Sequence, residues 1–112
     1  MLSDFSRKRL IEIRHNIALA YAWTGTLTLE EFSDDTMRLY AVVRALEIIS
    51  EASRGLPEDL RARHPEIPWR AVAGAGNVYR HDYDGVQERY ILRTVREALP
   101  PLLAAVESEL NL

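Results

Sequence analysis

The chain has 112 residues, of which 47% are hydrophobic and 28% are charged, and we expect a single folded domain over residues 1–112. Its net charge of -3 argues against a protein that coats DNA, although the unevenly placed arginines leave room for a local basic groove. The absence of cysteine excludes a disulfide scaffold, cysteine-bound zinc and thiol catalysis. With no long apolar run and no signal-peptide pattern, we expect a cytoplasmic protein without a membrane partner.

A long amphipathic helix is predicted at the start of the chain. Ser3 or Asp4 can cap it, and Gly25 suits its C-terminal stop. Apolar residues at three-four spacing give it one buried face, formed by Leu10, Ile13, Ile17, Tyr21 and Thr24. Thr28 and Glu31 then match the spacing of a capping box, which predicts a short helical turn directly after the first helix.

A second long helix is predicted from about Asp35 to Arg54. Its apolar residues cover a broad face, which is typical of a central helix that contacts more than one neighbour. Its narrow polar stripe consists of Arg44, Glu47, Glu51 and Arg54. Ion pairing within the helix is the favoured interpretation of this stripe. The alternative is that the stripe lines a cleft.

The second half of the chain is also predicted to be helical. A short helix ends near His64, and an extended link lies between Pro65 and Pro68. A further helix begins near Trp69, where Pro68 occupies the first helical position. The last helical region covers about Val86 to Leu110.

The predicted fold class is all-α. Pro100-Pro101 removes two backbone donors from the last helical region, so we expect a kink or a restart there. No segment alternates apolar and polar residues as a half-buried strand does. The sequence therefore predicts an antiparallel four-helix bundle with one or two short extra helices and a kinked C-terminal helix.

Reactive side chains concentrate between Gly74 and Val86. On a helix, Asn77, Arg80 and His81 fall on one side. A histidine beside an arginine suits metal-free cleavage of a phosphodiester, because the histidine moves protons while the guanidinium stabilises the charge on phosphorus. Metal binding is not expected, since the histidines are scattered over different segments. From the residues alone, a structural role for His81, as a helix cap or a buried hydrogen-bonding residue, is as well supported as a functional role.

Five separated blocks of the sequence carry a family resemblance. They are Ala45–Ala52, His64–Arg70, Ala73-Gly74 with Asn77, His81–Val86, and Leu99-Pro100 with Leu102. In this order they resemble the HepT-like (DUF86) branch of the HEPN superfamily over nearly the whole chain. The resemblance implies an α-helical bundle that forms a homodimer through its active-site region, so that two copies build one cleft. It also implies a metal-independent endoribonuclease, without an intrinsic cofactor, that acts on RNA as the toxin of a toxin–antitoxin pair.

The resemblance further implies how such a toxin is silenced. The antitoxin of the family is a small MNT-type nucleotidyltransferase, which uses ATP to transfer AMP to the tyrosine of an Arg-x4-His-x-Tyr motif. In this chain the histidine of the motif is His81, the tyrosine is Tyr83, and the asparagine that follows the arginine is Asn77. The arginine itself is replaced by Gly76. We expect Arg80, one turn further along, to supply the cation in the room that the missing side chain leaves.

Three interpretations follow from these residues. The preferred one is a ribonuclease toxin, and the alternative is a nucleotidyltransferase-binding partner that cleaves weakly or not at all because of Gly76. The third is a helical domain whose polar helix end is only a cap. This interpretation is the least favoured, because His81, Asn77 and Tyr83 occur together. The further candidates for lining the cleft are Arg70, which is also a second candidate for the cation, Glu47 and Glu51.

Overall fold

The structure is a computed structural model that describes residues 2–81 and 86–111, with the side chains of 77–81 and 86 left out of the description. Within those ranges the chain is helical and has no strand, which confirms the all-α fold class. The elements are α1 (Asp4–Thr24), α2 (Leu29–Asp34), α3 (Thr36–Arg54), α4 (Glu58–Ala62), α5 (Trp69–His81), α6 (Val86–Arg93), a π-helical turn (Thr94–Ala98) and α7 (Leu99–Leu110). No helix in the described ranges has both the length and the apolar character that a membrane crossing needs.

The predicted caps define the first two helices. The Ser3 side chain accepts a bond from the backbone N–H three residues further on, and Gly25 has a φ of +47° and donates to the carbonyl of Tyr21. In the capping box the Thr28 hydroxyl accepts from the Glu31 N–H at 3.1 Å, while the Glu31 carboxylate accepts from the Thr28 N–H at 2.9 Å. Local sequence signals therefore set both helix starts and the stop of α1.

Helices α1 and α3 pack antiparallel. At the start of α3, the Arg38 guanidinium donates to the carbonyl of Trp23 at the end of α1, at 2.8 Å. At the end of α3, Gly55 lies against the side chains of Phe5 and Arg9 in the first turns of α1. The central position predicted for α3 is confirmed, because its buried residues join one core with α1, α5 and α7.

The C-terminal helical region contains the predicted kink in the form of the π-helical turn. There the Leu99 N–H donates to the carbonyl of Thr94, five residues earlier. Pro100 and Pro101 consequently fall in the first turn of α7, where a backbone N–H has no partner within the helix. The wider turn thus accommodates two prolines that a continuous α-helix would exclude.

The link between Pro65 and Pro68 differs from the prediction. It forms a turn rather than an extended segment, because the Ile67 N–H donates to the His64 carbonyl at 3.2 Å. The side chain of Ile67 is buried in the core. An apolar residue between two prolines therefore anchors a compact turn, and the extended link is wrong.

Candidate functional site

Helix α5 (Trp69–His81) begins at Trp69, as predicted, and carries Asn77, Arg80 and His81, which together are called the polar segment. The side chains of Asn77, Arg80 and His81 lie outside the described part of the structure, as does the whole of Tyr83. What is described is the frame that holds this segment, namely the first two turns of α5 and the helices against which they pack.

Ser50 of α3 forms a polar link to α5. Its side chain is buried, with 2% exposure, and its hydroxyl donates to the carbonyl of Ala73 at 2.8 Å. The same oxygen accepts from the backbone N–H of Gly76 at 3.2 Å. One turn further along α3, the Arg54 Nε also donates to the Ala73 carbonyl, at 3.0 Å. Two side chains of α3 thus hold the backbone of α5 directly before the polar segment.

Gly76, at the position of the motif arginine, is buried against α3. A Cβ atom at this position would lie 3.3 Å from the Ser50 Oγ and 3.6 Å from the Ser50 Cβ. The room expected beside Gly76 is therefore occupied by Ser50. A Cβ at position 76 fits only if Ser50 or α5 gives way by a few tenths of an ångström.

Glu47 and Glu51 are engaged in ion pairs within α3, as the favoured interpretation of the polar stripe predicts. Glu47 lies 3.8 Å from Arg44, and Glu51 lies 3.2 Å from Arg54. Glu47 is the more enclosed of the two carboxylates, with 16% of its side chain exposed against 68% for Glu51. Burial makes Glu47 the stronger candidate for orienting a neighbouring group.

Both glutamates line a groove, which lies between α1 and α3 and has a volume of about 350 Å³. The other lining residues are Arg9, Glu12, Arg44 and Ile48. Three carboxylates face two guanidinium groups there, a charge balance that does not favour a polyanion. The groove alone is thus a poor site for an RNA backbone.

Arg70 lies in the first turn of α5 and is exposed. Within the described residues its guanidinium has neither an ion pair nor a hydrogen bond. It is consequently available for a phosphate, since guanidinium groups bind phosphate through paired donors. Along α5, Arg70 precedes Asn77 by seven residues and His81 by eleven.

An apolar cavity of about 120 Å³ lies between α3, α5 and the C-terminal helical region. Its walls include Leu46, Val72, Ala75 and Leu102, and Ser50 and Thr94 contribute hydroxyl groups. Among the described residues, no carboxylate, histidine or arginine lines it. Tyr90 adds a phenol to the lining, so the cavity offers hydroxyl groups and no cationic group that would hold a phosphate among the described residues.

A buried carboxylate, which sequence reasoning missed, joins α7 to the turn between α4 and α5. Glu109 of α7 is 3% exposed and accepts two bonds from Arg63, at 2.8 and 3.1 Å. His64 Nε2 lies 2.6 Å from the same carboxylate. The Arg63 bond chiefly, and the His64 bond in addition, lower the pKa of Glu109 below its ordinary value. The two partners lie 46 and 45 residues away along the chain, so no local pattern could have indicated them.

This cluster gives the His64–Arg70 block a structural role. Within this block, the indole N–H of Trp69 donates to the carbonyls of Arg61 and His64, at 3.0 Å each. The block thereby joins the α4–α5 turn to the end of α7. Among the described residues, no group of three or more histidines and carboxylates could hold a metal ion.

The all-α bundle and the Asn-x3-His-x-Tyr segment on and after α5 define a HEPN-type helical domain. The chain belongs to the HepT-like ribonuclease family, since the family described as "Ribonuclease HepT-like" matches residues 13–109.

Curated relatives agree with this assignment. The chain is 41% identical over 98 residues to "Probable ribonuclease HepT" of Thermococcus cleftensis, a match that covers 88% of this chain and 89% of that protein. It is 38% identical over 85 residues to a "Putative RNase" of Methanocaldococcus jannaschii, covering 76% and 78% of the two chains. A "Putative RNase" of Caldanaerobacter subterraneus subsp. tengcongensis is 37% identical over 85 residues, covering 76% of each chain. No solved structure shows significant similarity to the chain.

Proposed function

We propose that the chain is a metal-independent endoribonuclease that acts as the toxin of a HEPN/MNT toxin–antitoxin pair. The observation that carries the proposal is the family match over residues 13–109, within which the asparagine, histidine and tyrosine of the family motif stand at the family spacing. The relatives named as ribonucleases support RNA as the substrate.

In the proposed reaction, the ribose 2′-oxygen attacks the adjacent phosphorus and the bond from phosphorus to the 5′-oxygen breaks. The products are a 2′,3′-cyclic phosphate and a free 5′-hydroxyl. His81 acts as general base toward the 2′-hydroxyl or as general acid toward the leaving oxygen. Arg80 stabilises the additional negative charge on the phosphoryl oxygens, and Asn77 holds the phosphate or the ribose. Water and protein side chains supply the remaining proton transfers, so no metal ion is required.

The direct test is cleavage of single-stranded RNA by purified protein in the presence of EDTA. We expect cleavage by the native chain, cyclic-phosphate ends on the products, and loss of activity in His81→Ala. His15→Ala is the matched control, because His15 is an exposed histidine on α1 and its removal leaves the polar segment intact. Equal cleavage by native protein and His81→Ala would refute the role of His81.

The source of the cation is tested separately. Removing a guanidinium that contacts the transition state should lower kcat by about a hundredfold or more. We expect this loss in Arg80→Ala and a much smaller loss, mainly in KM, in Arg70→Ala. If Arg80→Ala retains the native kcat, another group carries the charge.

The proposed regulation is AMPylation of Tyr83 by an MNT-type nucleotidyltransferase, with ATP as the donor of AMP. The tyrosine oxygen attacks the α-phosphorus of ATP and pyrophosphate leaves. Incubation with the cognate enzyme and ATP should raise the protein mass by AMP and abolish cleavage. Tyr83→Phe should block both effects, whereas Tyr79→Phe, which alters a neighbouring tyrosine, should block neither.

A second candidate function is a nucleotidyltransferase partner without cleavage activity. The observation that favours it is the glycine at position 76, where the motif has an arginine. This glycine is buried against Ser50. Such a protein would form the complex and accept AMP on Tyr83, yet the EDTA assay would show no cleavage. The RNA assay and the AMPylation assay together distinguish the two functions.

A further inference from the structure

We propose that Ser50 is a positioning residue for His81, which it serves through its contact with Gly76, and that this contact closes position 76 to the motif arginine. The proposal rests on the proposed function in one respect, namely that His81 takes part in RNA cleavage. The name Ser50–Gly76 contact covers the two hydrogen bonds of the Ser50 hydroxyl to α5. One is donated to the Ala73 carbonyl, and the other is accepted from the Gly76 N–H.

The contact is built as a buried polar link. The Ser50 hydroxyl uses its proton toward Ala73 at 2.8 Å and a lone pair toward Gly76 at 3.2 Å, so both of its hydrogen-bonding functions are satisfied. Ser50 is 2% exposed, and loss of its oxygen would take a buried acceptor from the Gly76 N–H and one of two side-chain donors from the Ala73 carbonyl. A serine in the interior of an apolar helix interface thus fixes the rotation and the height of α5 on α3.

Glycine is what permits this approach. A Cβ at position 76 would stand 3.3 Å from the Ser50 oxygen, closer than a carbon and an oxygen normally lie, and a retreat of that oxygen by a few tenths of an ångström would lengthen its bonds to α5. Gly74 differs on the same helix, because a Cβ there would meet nothing within 4 Å. Position 76 is therefore a packing position in this chain, and Gly74 is its matched control.

The contact lies directly before the polar segment of α5. Gly76 precedes Asn77 by one residue and His81 by five, all on the same helix. A shift of α5 at Gly76 is transmitted to His81, because a helix moves as a rigid element over so short a length. Displacing a catalytic group by about 1 Å can lower a rate by about a hundredfold.

The contact itself is tested by thermal unfolding of four variants. Gly74→Ala should raise Tm by a few degrees, since alanine favours a helix interior over glycine. Gly76→Ala should lower Tm despite the same gain in helix propensity. In a Ser50→Ala background the oxygen is gone, the remaining 3.6 Å approach is ordinary, and Gly76→Ala should raise Tm. Equal increases for Gly74→Ala and Gly76→Ala in the native background would overturn the contact.

The positioning role is tested by RNA cleavage at a temperature where every variant is folded. Ser50→Ala should lower kcat at least about tenfold while KM is unchanged, because no group that binds RNA is removed. Gly74→Ala should retain both native values. Gly76→Arg should lose activity. A native kcat in Ser50→Ala, or a higher kcat in Gly76→Arg, would overturn the positioning role.

Failure of this inference is distinguishable from failure of the proposed function. If the native chain shows no His81-dependent cleavage, the proposed function is refuted and the positioning role falls with it. The Tm comparison still decides whether the Ser50–Gly76 contact exists. If the native chain cleaves RNA and Ser50→Ala cleaves it equally well, only the positioning role is refuted.

Discussion

Glu109 is the residue whose charge contributes most clearly to the folded state. A carboxylate that is 3% exposed would be strongly destabilising without partners. Here Arg63 binds both of its oxygens and His64 binds one. The pairing joins the end of α7 to the turn that leads into α5. The C-terminal helix is thereby held to a segment from the middle of the chain.

Replacing this carboxylate should make stability less dependent on pH. The lowered pKa of Glu109 means that its contribution is complete above its ordinary value of 4.5 and is lost as the pH falls through the lower folded value. We expect Glu109→Gln to cost about 1–3 kcal/mol of unfolding free energy at neutral pH, and the difference from the native chain to shrink in acid. Denaturant unfolding between neutral and acidic pH measures both effects.

Glu107→Gln is the control for this experiment, because Glu107 lies on the same helix and is exposed. It makes the same change of charge and should leave the stability curve nearly unchanged. A Glu109→Gln curve that coincides with that of Glu107→Gln would show that the Arg63 and His64 bonds do not stabilise the fold.

Trp69 offers a test of one polar atom. Trp69→Phe keeps an aromatic ring but removes the N–H that serves the carbonyls of Arg61 and His64. We expect a loss of about 1–2 kcal/mol in unfolding free energy, since the carbonyls lose a buried donor. Trp23→Phe is the control, because the Trp23 indole N–H has no bond to a described residue. Equal losses in the two variants would assign the effect to ring size rather than to the hydrogen bonds.

Among the helices, the sequence predicted well those features that arise from local chemistry. Ser3, Gly25 and the Thr28–Glu31 capping box mark helix ends because each satisfies backbone groups within a few residues. The π-helical turn could be foreseen only as a kink. Two prolines forbid a regular helix, but the choice among a bend, a break and a wider turn depends on what packs around it.

The π-helical turn explains why the proline pair is tolerated, and this can be tested. A proline inside a regular helix costs about 3 kcal/mol or more, whereas one in the first turn costs little. The double variant Pro100→Ala/Pro101→Ala should therefore change the unfolding free energy by less than about 1 kcal/mol. Ala104→Pro, at an exposed position within α7, should cost about 3 kcal/mol. A gain of several kcal/mol in the double variant would mean that the prolines strain the helix as it stands.

Across the whole molecule, the candidate site divides into a part that the sequence indicates and a part that it does not. The motif spacing placed His81, Asn77 and Tyr83 on and after α5, whose start at Trp69 the structure confirms. The Ser50–Gly76 contact escaped prediction because its partners lie 26 residues apart on different helices. Glycine at a motif position looked like a loss of function, and only the packing of α5 on α3 gives it a structural cause.

The homodimer that the family resemblance implies makes a prediction for the assembled molecule. A cleft built by two copies allows the His81 of one copy to work with the Arg80 of the other, and we expect this shared arrangement. A heterodimer of a His81→Ala chain and an Arg80→Ala chain would then contain one intact pair, although each homodimer has none. We expect such a heterodimer, isolated through two different affinity tags, to recover up to about half of the native kcat, since one of two equivalent pairs remains.

Two controls make the outcome of this experiment unambiguous. The His81→Ala and Arg80→Ala homodimers, prepared with the same tags, set the background rate. A heterodimer of the native chain with a chain that carries both substitutions also holds one intact histidine and one intact arginine, but in the same copy. If only this second heterodimer is active, each copy contains its own complete site. Activity in the first heterodimer alone shows that the cleft is shared, because the reacting phosphate must then lie between residues of both copies.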